Sequence, residues 1–118
     1  MRDIGWTSVP FDPYDPGYRM DHFLEHGGDF GATSAEEYEA MADHFMTKPK
    51  TNSIHECVRR GAILCRYDSS SEEYGTMFVG GNLLTYFVPV PGFHIPPGSR
   101  PRWMHGWSTN FQYFLARC

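Results

Sequence analysis

Apolar positions recur with a helical period in the first half of the chain and in short strand-like runs in the second. Tyr38, Met41, Ala42 and Phe45 fall on one side of a helix, and Glu36, Glu39 and Asp43 on the other. Ser34 with Glu37 three residues on forms a capping-box pattern at its start, and Pro49 lies just past its end. A shorter helix is expected at about 18–26, stopped by Gly27-Gly28. Ahead of it, residues 1–17, with Pro10, Pro13 and Pro16, read as an extended lead-in. After Pro49 the period changes. Residues 54–60, 62–68, 74–79 and 83–88 are rich in β-branched and aromatic side chains and are separated by Gly61, Ser69-Ser-Ser-Glu-Glu73 and Gly80-Gly81-Asn82. That spacing predicts a four-stranded antiparallel meander. Helices first and strands after give an α+β class, with two N-terminal helices packed on one face of the sheet. A short C-terminal helix over 110–116, capped by Ser108 or Thr109, is expected to turn Phe111, Phe114 and Leu115 to the core. Residues 89–107 read as a Pro/Gly/Trp-rich loop too long for a bare connector, hence a functional loop or a lid.

A chain of 118 residues suits one domain, taken as 18–118. Its net charge of −4 argues against strong non-specific binding to nucleic acid. The charge is uneven, however. Arg59, Arg60 and Arg66 cluster, as do Arg100, Arg102 and Arg117, while the acids gather between Glu36 and Asp43 and at Glu72 and Glu73. No apolar run approaches the ~18 residues of a membrane span, so no membrane partner is expected. The start lacks the apolar core of a secretory signal, so delivery outside a cell would have to come from another segment. Cys57, Cys65 and Cys118 match no zinc spacing. They are expected as small buried hydrophobes, with a Cys57–Cys118 bridge open to the chain in an oxidising compartment.

The candidate chemistry centres on the first helix. There Arg19, His22, Glu25 and His26 share one face, and Met20, Phe23 and Leu24 the other. Two histidines one turn apart beside a carboxylate can move protons near neutral pH; the same pattern is also the wet side of an ordinary amphipathic helix. As metal ligands, His22 and His26 need a third donor, and His44, His55, His94 and His105 are scattered. Zinc-dependent hydrolysis is therefore the weaker reading. RNA cleavage by the 2′-hydroxyl needs a base, an acid and donors for the charge that builds on the phosphate. Arg66 offers a bidentate fork, and Thr85 is a lone hydroxyl in an apolar strand, with Tyr86 on the opposite face. The plainer readings are an exposed strand arginine and a strand-favouring threonine. Tyr113 is either a base-stacking ring or a core residue.

Several runs together resemble a known group. They are His22-Phe-Leu-Glu-His-Gly-Gly-Asp-Phe-Gly31, Ala35-Glu-Glu-Tyr-Glu-Ala-Met-Ala-Asp43, Cys57 ahead of Arg66-Tyr-Asp68, Thr85-Tyr-Phe87, and a tail from Asn110 to Cys118. This ordered set resembles the C-terminal toxin modules of bacterial polymorphic toxins, in the barnase–EndoU–colicin–RelE-like ribonuclease group. The resemblance implies a metal-independent endoribonuclease, without cofactor, that cuts RNA (often transfer RNA) to a 2′,3′-cyclic phosphate. It also implies delivery within a larger effector, action in a target-cell cytoplasm, and a cognate immunity protein as partner. By position, His22 and His26 become the helix-borne catalytic pair, and Arg66 and Thr85 the sheet-borne phosphate contacts. Glu25 departs from the group's pattern, since it stands where a basic residue is expected; it is either a carboxylate base or a lost cation. The other reading of the chain is a non-catalytic protein-binding module of the same fold, using 89–107 as its contact surface.

Overall fold

The computed structural model describes residues 9–91 and 104–118. The class is α+β, as expected, with two N-terminal helices, a four-stranded antiparallel sheet and a short C-terminal helix. Helix α1 spans Pro16–His26 and starts earlier than expected, because Asp15 caps it and Pro16 sits where a missing N–H costs nothing. A 3₁₀ turn over Gly27–Asp29 follows. Helix α2 spans Ala35–Thr47, and Ser34 Oγ accepts from the Glu37 N–H at 3.0 Å. The Glu37 carboxylate reaches back one residue further than a capping box requires, to the Thr33 N–H at 2.6 Å.

Strands β1 (Ile54–Arg59), β2 (Ile63–Asp68), β3 (Tyr74–Phe78) and β4 (Leu83–Phe87) pair in sequence order. The β1–β2 turn carries Arg60 and Gly61 at φ 55° and 70°, the left-handed pair that a tight hairpin uses and that glycine adopts without strain. Register matches Thr76 to Thr85 and Met77 to Leu83, so Leu84 is an extra residue bulged out of β4. The bulge lets Leu83 and Tyr86 reach the same face, three positions apart.

That face packs under α2. Tyr38, Ala42, Phe45 and Met46 meet Met77, Leu83 and Tyr86 in the main core. Gly75 opposes Arg66 and Tyr86 in the register, and a Cβ there would lie 2.6 Å from Met46 Sδ; the absent side chain is what lets α2 settle this close. The lead-in is extended, as its prolines require, yet it belongs to this core. Phe11 is 1% exposed and stacks on Tyr38, and the Leu83 N–H donates to the Pro10 carbonyl at 2.7 Å.

The opposite face carries Cys65, Tyr67, Tyr74 and Phe87, covered by Phe114 of α3 (Asn110–Arg117). The third helix therefore lies across the sheet from α2 and not beside it. Thr109 caps it by accepting from the Gln112 N–H. Of the three residues expected to face the core, only Phe114 does so; Phe111 and Leu115 are 39% and 54% exposed. Eight residues make about two turns, and the stripe Asn110, Tyr113, Phe114, Arg117 is the one turned to the sheet. The stretch 89–107 is not loop throughout, since β5 (Val90–Pro91) pairs in parallel with β6 (Met104–His105). Residues 92–103, with His94, Arg100, Arg102 and Trp103, lie outside the described residues, as do 1–8. The Trp107 N–H donates to His105 Nδ1, so His105 carries its proton on Nε2, toward Asn110 Oδ1 at 2.8 Å. The Asn110 amide donates in turn to the Pro89 carbonyl and fixes the start of α3 beside the end of β4.

Cys57 and Cys118 are joined in a disulfide, with Cα atoms 6.1 Å apart, and only Cys65 is the buried free thiol expected of all three. The bridge ties β1 to the end of α3 across a separation of 61 residues. On chain-entropy grounds its reduction is expected to lower stability by about 4 kcal/mol. Urea unfolding with and without a dithiol reductant measures this, and an unchanged midpoint would show that the bridge does not constrain the fold.

Candidate functional site: a cationic cleft on the sheet

On the sheet face turned away from α2 lies a cleft of about 250 Å³. Tyr74, Thr76 and Thr85 contribute from the sheet, Arg59 from the end of β1, and Tyr113 and Arg117 from α3. Tyr18 of α1, Leu84 and Phe87 complete it. Local geometry explains the gathering. Side chains alternate along a strand, so Cys57 and Arg59 point to the same face. The bridge from Cys57 to Cys118 draws in the end of α3, and Arg117 arrives beside Arg59, whose Nη1 donates to the Arg117 carbonyl at 3.4 Å. The Leu84 bulge sits at the opposite wall, where the Tyr18 hydroxyl donates to the Leu84 carbonyl at 2.6 Å and pins α1 to β4.

The cleft is lined by hydrogen-bond donors. Among the described residues, neither Arg59 nor Arg117 pairs with a carboxylate. The Thr76 and Thr85 hydroxyls lie 2.6 Å apart; one donates to the other and leaves a single O–H for a ligand. Burial pushes the Tyr113 hydroxyl above its ordinary pKa, and the Arg117 and Arg59 charges pull it back. Tyr74 is raised more strongly, again mainly by burial. Both phenols are therefore neutral O–H groups at physiological pH. A small space lined by two guanidiniums and several hydroxyls, with no carboxylate, suits an oxyanion.

Only some of the sequence-predicted site residues meet here. Thr85 lines the cleft, and so does Tyr113, whose ring is engaged by His105 at 4.5 Å and by the Arg117 guanidinium at 5.9 Å. The Tyr113 ring is thus a wall and not a free platform for a base. Arg66 is the main correction. It lies on the α2 face, 6% exposed, paired with Glu56 at 2.6 Å and donating to the Phe45 and Lys48 carbonyls at 3.0 and 2.7 Å. It closes the C-terminal end of α2, whose last carbonyls lack helical partners, and is unavailable to a phosphate on the other face. It is not an exposed strand charge either. Tyr86, as expected, faces away from Thr85; it is a core residue whose hydroxyl donates to Glu73.

Helix α1 is turned over relative to a simple amphipathic reading. The face bearing His26 and His22 is the inner one, while Met20 and Leu24 are 45% and 71% exposed. Imidazole rings can stack as aromatics, and here they do: His22 on Tyr18 at 4.2 Å and His26 on Phe87 at 5.0 Å. Each histidine thus stands directly behind a ring that walls the cleft, and neither lines the cleft itself. His22 Nδ1 lies 2.9 Å from the Tyr18 carbonyl, which can only accept, so the ring's lone pair is on Nε2 when it is neutral. Glu25 is half-buried and acts on a different group. Its charge is one of several that add to the dominant effect of burial in raising the Tyr38 hydroxyl. His22 and His26 are 6.0 Å apart, and among the described residues no three His, Cys, Asp or Glu side chains gather as metal ligands would.

Sequence reasoning missed Arg59, Tyr74, Thr76 and Arg117 as a group. A signal for the arginines was present, since each lies within two positions of a half-cystine, but only the bridge brings them together. Compared with known proteins, the chain matches no family model and no curated protein.

Proposed function

We propose that the protein is an endoribonuclease that seats the scissile phosphate in this cleft, in the manner of the polymorphic-toxin nucleases its motifs resemble. The observation that carries the reading is a donor-only cleft with two arginines free of carboxylates, walled by the rings on which His22 and His26 stack. Arg59 and Arg117 take the place first given to Arg66, and Thr85 keeps its role. The ribose crosses the Tyr18–Phe87 wall, where His22 Nε2 takes the 2′-hydroxyl proton. The 2′-oxygen attacks phosphorus, the P–O5′ bond breaks, and His26 returns a proton to the departing 5′-oxygen. A 2′,3′-cyclic phosphate remains. RNA is the substrate, transfer RNA being the class the resemblance favours, and a cognate immunity protein is the expected protein partner. The disulfide fits a chain that folds or travels in an oxidising space before reaching a target cell.

The test is incubation of the purified protein with total RNA, followed by end-mapping of the fragments. His22→Ala is expected to slow cleavage by about 10²–10⁴-fold and to remove one limb of the pH profile. Parent-like rates in both His22→Ala and His26→Ala would remove the acid–base assignment. A second reading, a non-catalytic binding module, is favoured by one observation: no histidine or carboxylate lines the cleft itself. RNA that is retained by the protein but recovered uncut would decide for it.

A further inference from the structure

Tyr74 presents an anomaly that the proposed reaction does not use. The residue is 2% exposed and lines the cleft, yet its hydroxyl makes no hydrogen bond among the described residues. Its ring is held edge-on by Phe87 at 5.5 Å and by Tyr113 at 5.3 Å. The Cys65 thiol lies close but does not meet hydrogen-bond geometry, and sulfur is in any case a weak acceptor. A buried hydroxyl with no partner destabilises the folded state, and the large majority of buried polar atoms avoid it. Nearby, the phenol feels the Arg117 charge, so it stands on the cationic side of the cleft.

We infer that the Tyr74 hydroxyl is a fixed donor to a non-bridging phosphate oxygen, completing with Arg59 and Arg117 a subsite for phosphate esters. The inference rests on the cleft being the phosphate site proposed above, and adds to it a neutral donor that is already desolvated and immobile. Such a group needs no reordering when the anion arrives, unlike the long arginine side chains. Its protonated state is secure, since burial holds the phenol well above its ordinary range.

Tyr74→Phe separates this role from a structural one, because the two predict opposite changes in stability. Inorganic phosphate and an uncleavable 2′-deoxy dinucleotide are titrated against the whole chain, with backbone amide shifts as the readout, and the melting temperature is recorded. Tyr74→Phe is expected to weaken binding of both probes by about ten- to a hundredfold, with the melting temperature unchanged or raised. Tighter binding of the dinucleotide than of inorganic phosphate assigns the subsite to the diester; the reverse assigns it to a free phosphate. A fall in melting temperature, or unaltered affinity for both probes in Tyr74→Phe, overturns the inference. If affinity is unaltered there but lost in Arg59→Gln, the cleft remains the phosphate site and only Tyr74's part in it fails. If the parent protein binds neither probe, the phosphate-site reading itself falls.

Discussion

Replacing Arg59 and Arg117 together with glutamine is expected to abolish phosphate binding and to slow RNA cleavage by on the order of 10³-fold or more, with little change in stability. The two guanidiniums supply the cleft's positive charge, and a donor aimed at developing phosphate charge is worth about 10²–10³-fold when removed singly. Neither makes an ion pair with a carboxylate among the described residues, so little native structure is lost with them. Removing two like charges held close together also relieves repulsion. Arg60→Gln, on the exposed hairpin turn, serves as the control for a general loss of positive charge. Cleavage that survives the double substitution at the parent rate would move the phosphate site elsewhere.

The second large effect is in the opposite property. Arg66→Met is expected to destabilise the fold by about 3–5 kcal/mol through loss of partners for Glu56 and for two carbonyls at the end of α2. In the native state the guanidinium donates to Glu56 at 2.7 Å through Nε and to Phe45 and Lys48 through Nη1. A methionine fills the volume but satisfies none of these acceptors. Adding Glu56→Leu is expected to recover part of the loss, because a buried pair removed whole costs far less than a pair broken in half. Urea unfolding of the single and double variants measures both. A stable Arg66→Met protein that no longer cleaves RNA would restore Arg66 to the role its motif position first implied.

These two arginine experiments mark where a sequence is legible and where it is not. Alternation along β2 separates Arg66 from Tyr67 but does not say which set faces α2. The Leu84 bulge complicates the matter further, since it breaks the two-residue period in the strand that carries Thr85. A phosphate contact drawn from both Arg66 and Thr85 therefore spanned two faces of one sheet. The first helix shows the same limit. Its periodicity correctly grouped His22 with His26, yet the polar face proved to be the inner one, because aromatic neighbours on Phe11, Tyr18 and Phe87 were available to stack on the imidazoles. Hydropathy alone ranks histidine as polar and cannot anticipate that choice.

What the chain's own pattern determined was local. Ser34 and Thr109 open their helices because their side chains accept orphan N–H groups, and Gly61 turns the first hairpin because it tolerates a positive φ. These choices need only residues a few positions apart, and they suffice for the α+β class and the order of the strands. The site is of another kind. Arg59 and Arg117 are 58 positions apart and meet only through the bridge beside them. Tyr74 becomes a desolvated donor only when α3 covers its side of the sheet. Which face each side chain takes, and what lies opposite it, is decided by packing among distant segments, and that decision belongs to the tertiary structure.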